Sequence, residues 1–158
     1  MTRFDVGIGD IRVASGEEEI RTYALGSCVA LVVWDQALKA GGMVHIALPE
    51  GQINPEKAGT TPGYFADTGL PVLFAELKKI GASRKTSWVK LIGGASILDD
   101  SNTFDIGRRN SLAVKKYLWK IGLALTAEDI GGNYSRTVGL VLPTGEVTIS
   151  NGNQKWTL

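Results

Sequence analysis

The chain has one cysteine and one histidine in 158 residues. A single cysteine cannot form an internal disulfide and sits most comfortably in a reducing compartment. One Cys and one His also exclude a structural zinc site of the Cys/His kind, which takes four such ligands. Long apolar runs are missing: the longest unbroken one, Cys28 to Trp34, is far below the ~20 residues that cross a bilayer. Met1 to Asp10 lacks the charged start and apolar stretch of a signal peptide. These absences point to a cytoplasmic protein without membrane insertion. There is no surplus of either charge, with 17 basic against 16 acidic side chains, so nothing calls for a nucleic-acid or anionic-membrane partner. The basic pairs Arg108-Arg109 and Lys115-Lys116 fall in an expected surface helix and read as a solvated face.

What is present is an ordinary globular balance, 44% hydrophobic and 21% charged, with 20 glycines marking tight turns between short elements. No repeat, low-complexity tract or linker interrupts the chain, so residues 1–158 read as one domain, and nothing demands more than a monomer. Phe4 to Val13 alternates as a half-buried strand with a glycine break, and Ser15-Gly16 with the glutamates after it reads as a turn. Ile20 to Leu25 reads as a strand stopping at Gly26-Ser27-Cys28, and valine-rich Val29 to Trp34 as a buried strand or the start of a buried helix. Asp35 to Gly42 carries turn residues, followed by a strand over Met43 to Leu48. Glu50 to Pro62, with two prolines and two glycines, reads as a surface loop long enough to be a lid or binding loop. Tyr64 to Ile80 has helical spacing, but Pro71 predicts a kink or a later start. Trp88 to Ile92 is a strand, Ile106 to Ile121 a second helix, and Leu123 to Ala127 a strand. Thr137 to Leu142 and Glu146 to Ser150 form a hairpin about Pro143-Thr144-Gly145. Strands outnumbering two amphipathic helices predict an α+β or layered α/β fold, with helices packed on sheet.

Chemistry has few places to reside. A thiol attacks as thiolate, and an imidazole is the usual group that activates it. Cys28 follows Gly26-Ser27, a tight turn able to aim backbone N–H groups at an oxyanion. His45 lies 17 positions on, in the strand expected to return beside Cys28, so the two meet if the register allows. The plainer reading stands beside this one: a cysteine before Val29-Ala30-Leu31 and a histidine between Val44 and Ile46 also suit a core. Gly7-Ile8-Gly9 lacks the third glycine of a dinucleotide fingerprint, and no P-loop lysine follows Gly93-Gly94. Asp99, Asp100, Asp105, Glu128 and Asp129 can be assembled into a hard-metal site, but loop carboxylates more often cap or solvate, and no metal is assigned.

The strings around these residues are more specific than the pair. Thr22-Tyr23-Ala24-Leu25-Gly26-Ser27-Cys28-Val29-Ala30 and Met43-Val44-His45-Ile46-Ala47-Leu48-Pro49 resemble the CheD family of chemoreceptor glutamine deamidases. So, in family order, do Tyr64-Phe65-Ala66-Asp67, Ile92-Gly93-Gly94-Ala95-Ser96, Ile106-Gly107-Arg108-Arg109-Asn110 and Ala127-Glu128-Asp129-Ile130-Gly131-Gly132-Asn133. The resemblance implies a layered α/β sandwich related to bacterial toxin deamidases, no cofactor, and methyl-accepting chemotaxis receptors as substrate. It puts the catalytic cysteine at Cys28, the histidine at His45 and an orienting threonine at Thr22, with Gly26 and Ser27 forming the oxyanion turn. Gly93, Gly94, Asn110 and Asn133 are either tight-turn residues or groove-lining contacts. Methylesterase action on receptor glutamate esters would use the same machinery. The resemblance also implies a rival role, as a regulatory module binding a CheC-type response-regulator phosphatase. Tyr23-Ala24 stands where Leu-Gly is commoner in the family, and Ala47 where a larger side chain is frequent. Both bear on the substrate groove rather than on the reacting groups.

Overall fold

In a computed structural model, which describes residues 1–97 and 104–158, ten strands divide into two five-stranded sheets. The first contains β1 (Thr2–Asp5), β3 (Glu18–Leu25), β8 (Arg136–Val141), β9 (Glu146–Ser150) and β10 (Lys155–Thr157), in the spatial order β1-β3-β8-β9-β10. The second contains β2 (Ile11–Ser15), β4 (Val29–Asp35), β5 (Ala40–Ile46), β6 (Ser87–Gly93) and β7 (Ala127–Ile130), ordered β2-β5-β4-β6-β7. Three α-helices accompany them: α1 (Pro55–Thr60), α2 (Ala66–Lys79) and α3 (Ile106–Lys120).

Side-chain alternation along β4 and β5 explains the layering. Ala30, Val32, Trp34 and Met43 pack with Ile20, Val138, Leu140, Val147 and Ile149 of the first sheet. Val29, Leu31, Val33, Val44 and Ile46 point the other way, onto Leu70, Leu73 and Leu77 of α2 and Val114 and Leu118 of α3. The result is sheet on sheet on helices, with β4 and β5 buried on both faces along all seven residues. A strand with no solvent face needs apolar side chains at every position, which is why Cys28 to Trp34 is an unbroken apolar run. The helices contribute one stripe each, at the i, i+3, i+7 spacing of Leu70, Leu73 and Leu77. Fully burying a leucine such as Leu73 contributes ~1.5–3 kcal/mol. This is the layered mixed α/β sandwich expected.

Several boundaries differ from the sequence reading. The Phe4 to Val13 alternation is two strands in two sheets, since the chain crosses between layers at Val6 to Asp10. The strand expected from Met43 begins at Ala40, so Gly41 and Gly42 are strand residues rather than turn residues. A Cβ on Gly42 would lie 2.8 Å from Val13 Cγ2 and 2.9 Å from Arg12 O, so close strand packing demands glycine there. The Glu50 to Pro62 loop contains a 3-10 turn and α1, whose first amides are capped by the Asn54 side chain on Lys57 N at 3.2 Å. The Asp67 carboxylate accepts from Gly51 N at 2.8 Å and ties this segment to α2. Helix α2 starts two residues late, at Ala66, and runs through Pro71, which forgoes one i→i−4 bond there. The strand expected over Leu123 to Ala127 is displaced to β7 and pairs in parallel with β6 from Lys90↔Ala127 to Gly93↔Ile130. Pairing, not local apolar content, sets its position. Strand β10 escaped the sequence reading because Lys155–Thr157 is too short to show a period.

Candidate active site

Antiparallel pairing of β4 and β5 puts Ala30 opposite His45. Cys28 is two residues before Ala30 and therefore shares its face, the one turned to the first sheet. Such diagonal neighbours lie about 7–8 Å apart at Cα, within reach of a thiol and an imidazole. The backbone N–H of His45 donates to Asp10 O at 3.3 Å and its carbonyl accepts from Gly9 N at 2.8 Å. His45 is thus laddered to the β2 side, and its pair with Ala30 is the closer, non-hydrogen-bonded type.

Thr22 reaches His45 from the other sheet. Its Oγ1 lies 2.7 Å from His45 Nδ1 and 2.7 Å from the Val6 carbonyl oxygen. A carbonyl only accepts, so the single Thr22 proton goes to Val6 O, and the proton shared with His45 must sit on Nδ1. Nε2 then carries the lone pair, and it is buried without a partner among the described residues. Of the three residues named from the sequence, Thr22 and His45 are in direct contact, and Cys28 lies on the same sheet face two residues before Ala30. The acid group near them, Asp10, was not foreseen. Burial pushes the His45 pKa down to about 4, while the Asp10 carboxylate opposes the fall by favouring the imidazolium. Burial pushes the Cys28 thiol up from its usual range, opposed by the N–H of Cys28 itself beside the sulfur. At neutral pH both groups rest uncharged.

Turn geometry before Cys28 comes from a bulge and three anchored carbonyls. The β3–β8 register shifts between Thr22 and Leu25, and Ala24 takes a left-handed φ of 57°. Bulges of this kind bend a strand and re-aim the residues beyond the bend. There, Gly26 O accepts from Ala95 N at 2.8 Å, Ser27 O from Asn110 Nδ2 at 2.9 Å, and Cys28 O from Gly94 N at 2.8 Å. The N–H of Ser27 has no backbone acceptor among the described residues, and that of Cys28 lies beside its own sulfur. Gly93, at φ 115°, packs its Cα against the Cys28 carbonyl, leaving no room for a side chain. A Cβ on Gly94 would meet Ser111 Oγ at 2.6 Å and Gly107 O at 2.8 Å. Both glycines serve close backbone approach behind the Gly26–Cys28 turn, and Gly94 also borders a shallow cavity with Ser96, Asp105 and Arg108. Asn110 is fully buried and lines no open groove. Asn133 is exposed in the bend after Gly132, whose carbonyl accepts from Ser96 N.

An apolar cavity of ≈ 530 Å³ opens beside the turn, lined by Gly26, Ser27, Ala95, Ile97, Phe104 and Ile106. Among the described residues no cluster of His, Cys, Asp and Glu is arranged to hold a metal. Glu128 pairs with Lys115, and Asp129 with Arg136 and Trp156 Nε1, while Asp99 and Asp100 lie outside the described residues. No described helix is long and apolar enough to cross a membrane.

This arrangement, a thiol and an imidazole on adjoining strands of a two-sheet α/β sandwich, has relatives. The family model for CheD chemotactic sensory transduction matches residues 47–151. A probable chemoreceptor glutamine deamidase CheD of Syntrophotalea carbinolica is 48% identical, covering 99% of both chains. One from Syntrophus aciditrophicus is 46% identical over 92% of each, and one from Methanococcus maripaludis 41% identical over 97% of each. These comparisons define the class, a protein of chemotactic signal transduction. The chain belongs to the CheD family.

Proposed function

We propose that this chain hydrolyses glutamine side-chain amides on chemoreceptors to glutamate, with Cys28 as nucleophile and His45 Nε2 as its base. The observation that carries the reading is the Val6–Thr22–His45 chain of hydrogen bonds. It holds the imidazole as the Nδ1–H tautomer with its lone pair on Nε2, and the strand register puts Cys28 on the same sheet face. Three relatives bearing the name chemoreceptor glutamine deamidase support the substrate.

As the sulfur attacks the carboxamide carbon, its proton passes to Nε2, so a neutral pair becomes a tetrahedral oxyanion beside an imidazolium. Asp10 stabilises that imidazolium, and Thr22 Oγ1 accepts its Nδ1–H. The N–H groups of Ser27 and Cys28 hold the oxyanion. Collapse breaks the C–N bond, Nε2 gives its proton to the leaving nitrogen, and ammonia departs. Water then attacks the thioester, losing a proton to Nε2 and returning it to the sulfur as glutamate leaves. An ester of glutamate fits the same cycle with methanol as leaving group. The product gains one negative charge, enough to bias a signalling equilibrium through local electrostatics. The apolar cavity beside Ser27, lined by Ile97 and Phe104, suits the hydrocarbon of a substrate segment.

The test is peptide mass spectrometry of a cognate receptor cytoplasmic fragment incubated with wild-type protein and with Cys28→Ser. A gain of about one dalton at defined glutamines with wild type alone is the expected result. No change with either protein would overturn the deamidase reading and favour a regulatory role at a CheC-type phosphatase.

A further inference from the structure

The β4–β5 ladder ends at Val29↔Ile46, beside Cys28. The next hydrogen-bonded pair, two residues on, would join Ser27 to Leu48, but Leu48 N–H donates to Tyr64 O at 3.1 Å and Leu48 O accepts from Ala66 N at 3.0 Å. The strands therefore part beyond Cys28 and Ala47, and no backbone bond between Ser27 and Leu48 sets the width of the gap. One side chain spans it. Asn110, in the second turn of α3 and fully buried, donates from Nδ2 to Ser27 O at 2.9 Å and to Ala47 O at 2.9 Å. A carboxamide nitrogen has two protons, and each goes to one of the two splayed strands. The orientation is fixed by electrostatics, since a flipped amide would set its oxygen against two carbonyl oxygens. Asn110 Oδ1 is left buried without a partner among the described residues. Leaving a buried acceptor unpaired is unfavourable, so the amide is held in this site for what its nitrogen does.

A peptide plane is rigid, and its C=O and N–H point in opposite directions. Anchoring Ser27 O therefore aims the N–H of Cys28, which belongs to the same plane, away from α3 and toward the sulfur's side. Resting on the deamidase reading, we infer that Asn110 is a positioning residue: it presets the Cys28 N–H as an oxyanion donor. Ala95 N does the corresponding service for the Ser27 N–H through Gly26 O.

The inference separates two kinds of chemistry at the same sulfur. Deamidation builds an oxyanion, whereas alkylation by iodoacetamide is a displacement in which sulfur bonds carbon, iodide leaves, and no oxyanion forms. Asn110→Ala should lower kcat for receptor deamidation by about 10²-fold, the effect of misplacing one oxyanion donor. KM and the rate of Cys28 alkylation should stay within about threefold of wild type. Rates are normalised to the folded fraction read by circular dichroism, so loss of folded protein does not mimic the effect. Asn110→Asp keeps the shape, and its protonated form retains one donor. Its kcat relative to wild type should rise as pH falls, which a purely structural role would not produce. Deamidation within threefold of wild type in Asn110→Ala, or parallel loss of deamidation and alkylation in both variants, would overturn the inference. Absence of deamidation by the wild type would instead remove the deamidase reading itself.

Discussion

Replacing Thr22 by valine keeps the shape of a fully buried side chain and deletes only the oxygen. Two bonds of 2.7 Å go with it, one to Val6 O and one to His45 Nδ1. The imidazole then loses the acceptor that keeps its proton on Nδ1 and is free to carry it on Nε2, where it cannot accept from Cys28. In the transition state the lost bond is to an imidazolium, and bonds to charged groups are worth ~1.5–3 kcal/mol. At 1.36 kcal/mol per tenfold, kcat for deamidation should fall about 10- to 150-fold. Thr22→Ser retains the hydroxyl and should restore most of the rate. The assay is ammonia release from a receptor fragment, run beside ¹⁵N NMR of the imidazole. Because the chain has one histidine, that spectrum contains a single ring to assign. Wild type should show a protonated Nδ1 and a bare Nε2 at pH 7. A wild-type ring protonated on Nε2, or Thr22→Val turning over at the wild-type rate, would refute the reasoning.

The same ring predicts a pH dependence of stability. Its native pKa of about 4 lies below the 6.5 of a free histidine, so between these values the unfolded chain binds a proton that the native chain does not. Stability is then fully present above pH 6.5 and is lost as pH falls toward 4, by an amount on the order of 3 kcal/mol. Urea denaturation at stepped pH should show the loss, and His45→Gln should flatten it. Ala24→Gly should raise stability by roughly 0.5–1 kcal/mol, because glycine takes φ 57° without the Cβ clash, as read from the urea midpoint. Gly93→Ala should cost about 3 kcal/mol or more, since φ is 115° and the new methyl would strike the Cys28 carbonyl. A melting temperature within two degrees or so of wild type would contradict that packing.

The residue types alone determined a good deal. One thiol and one imidazole leave few candidates for nucleophile and base, and an unbroken apolar run from Val29 to Trp34 announces a buried element, a strand or the start of a helix. The helical stripes through Leu70, Leu73, Leu77, Val114 and Leu118 were equally legible, because a 3.6-residue period survives in any context that has one apolar side. The family strings added Thr22, whose role has no local signature. What tertiary structure decided is whatever depends on a partner distant in sequence. Gly41 and Gly42 read as a turn until the neighbouring strands that exclude a side chain are known. The position of β7 comes from its parallel pairing with β6, and the tautomer of His45 from a carbonyl at Val6 in another layer. Asn110 read as a tight-turn residue or a groove-lining contact. Its two protons meet Ser27 and Ala47, 83 and 63 positions away, and only the folded chain brings those carbonyls together. Local period and composition report what a residue is and which way it faces, whereas a hydrogen bond across layers is set by the packing of the whole.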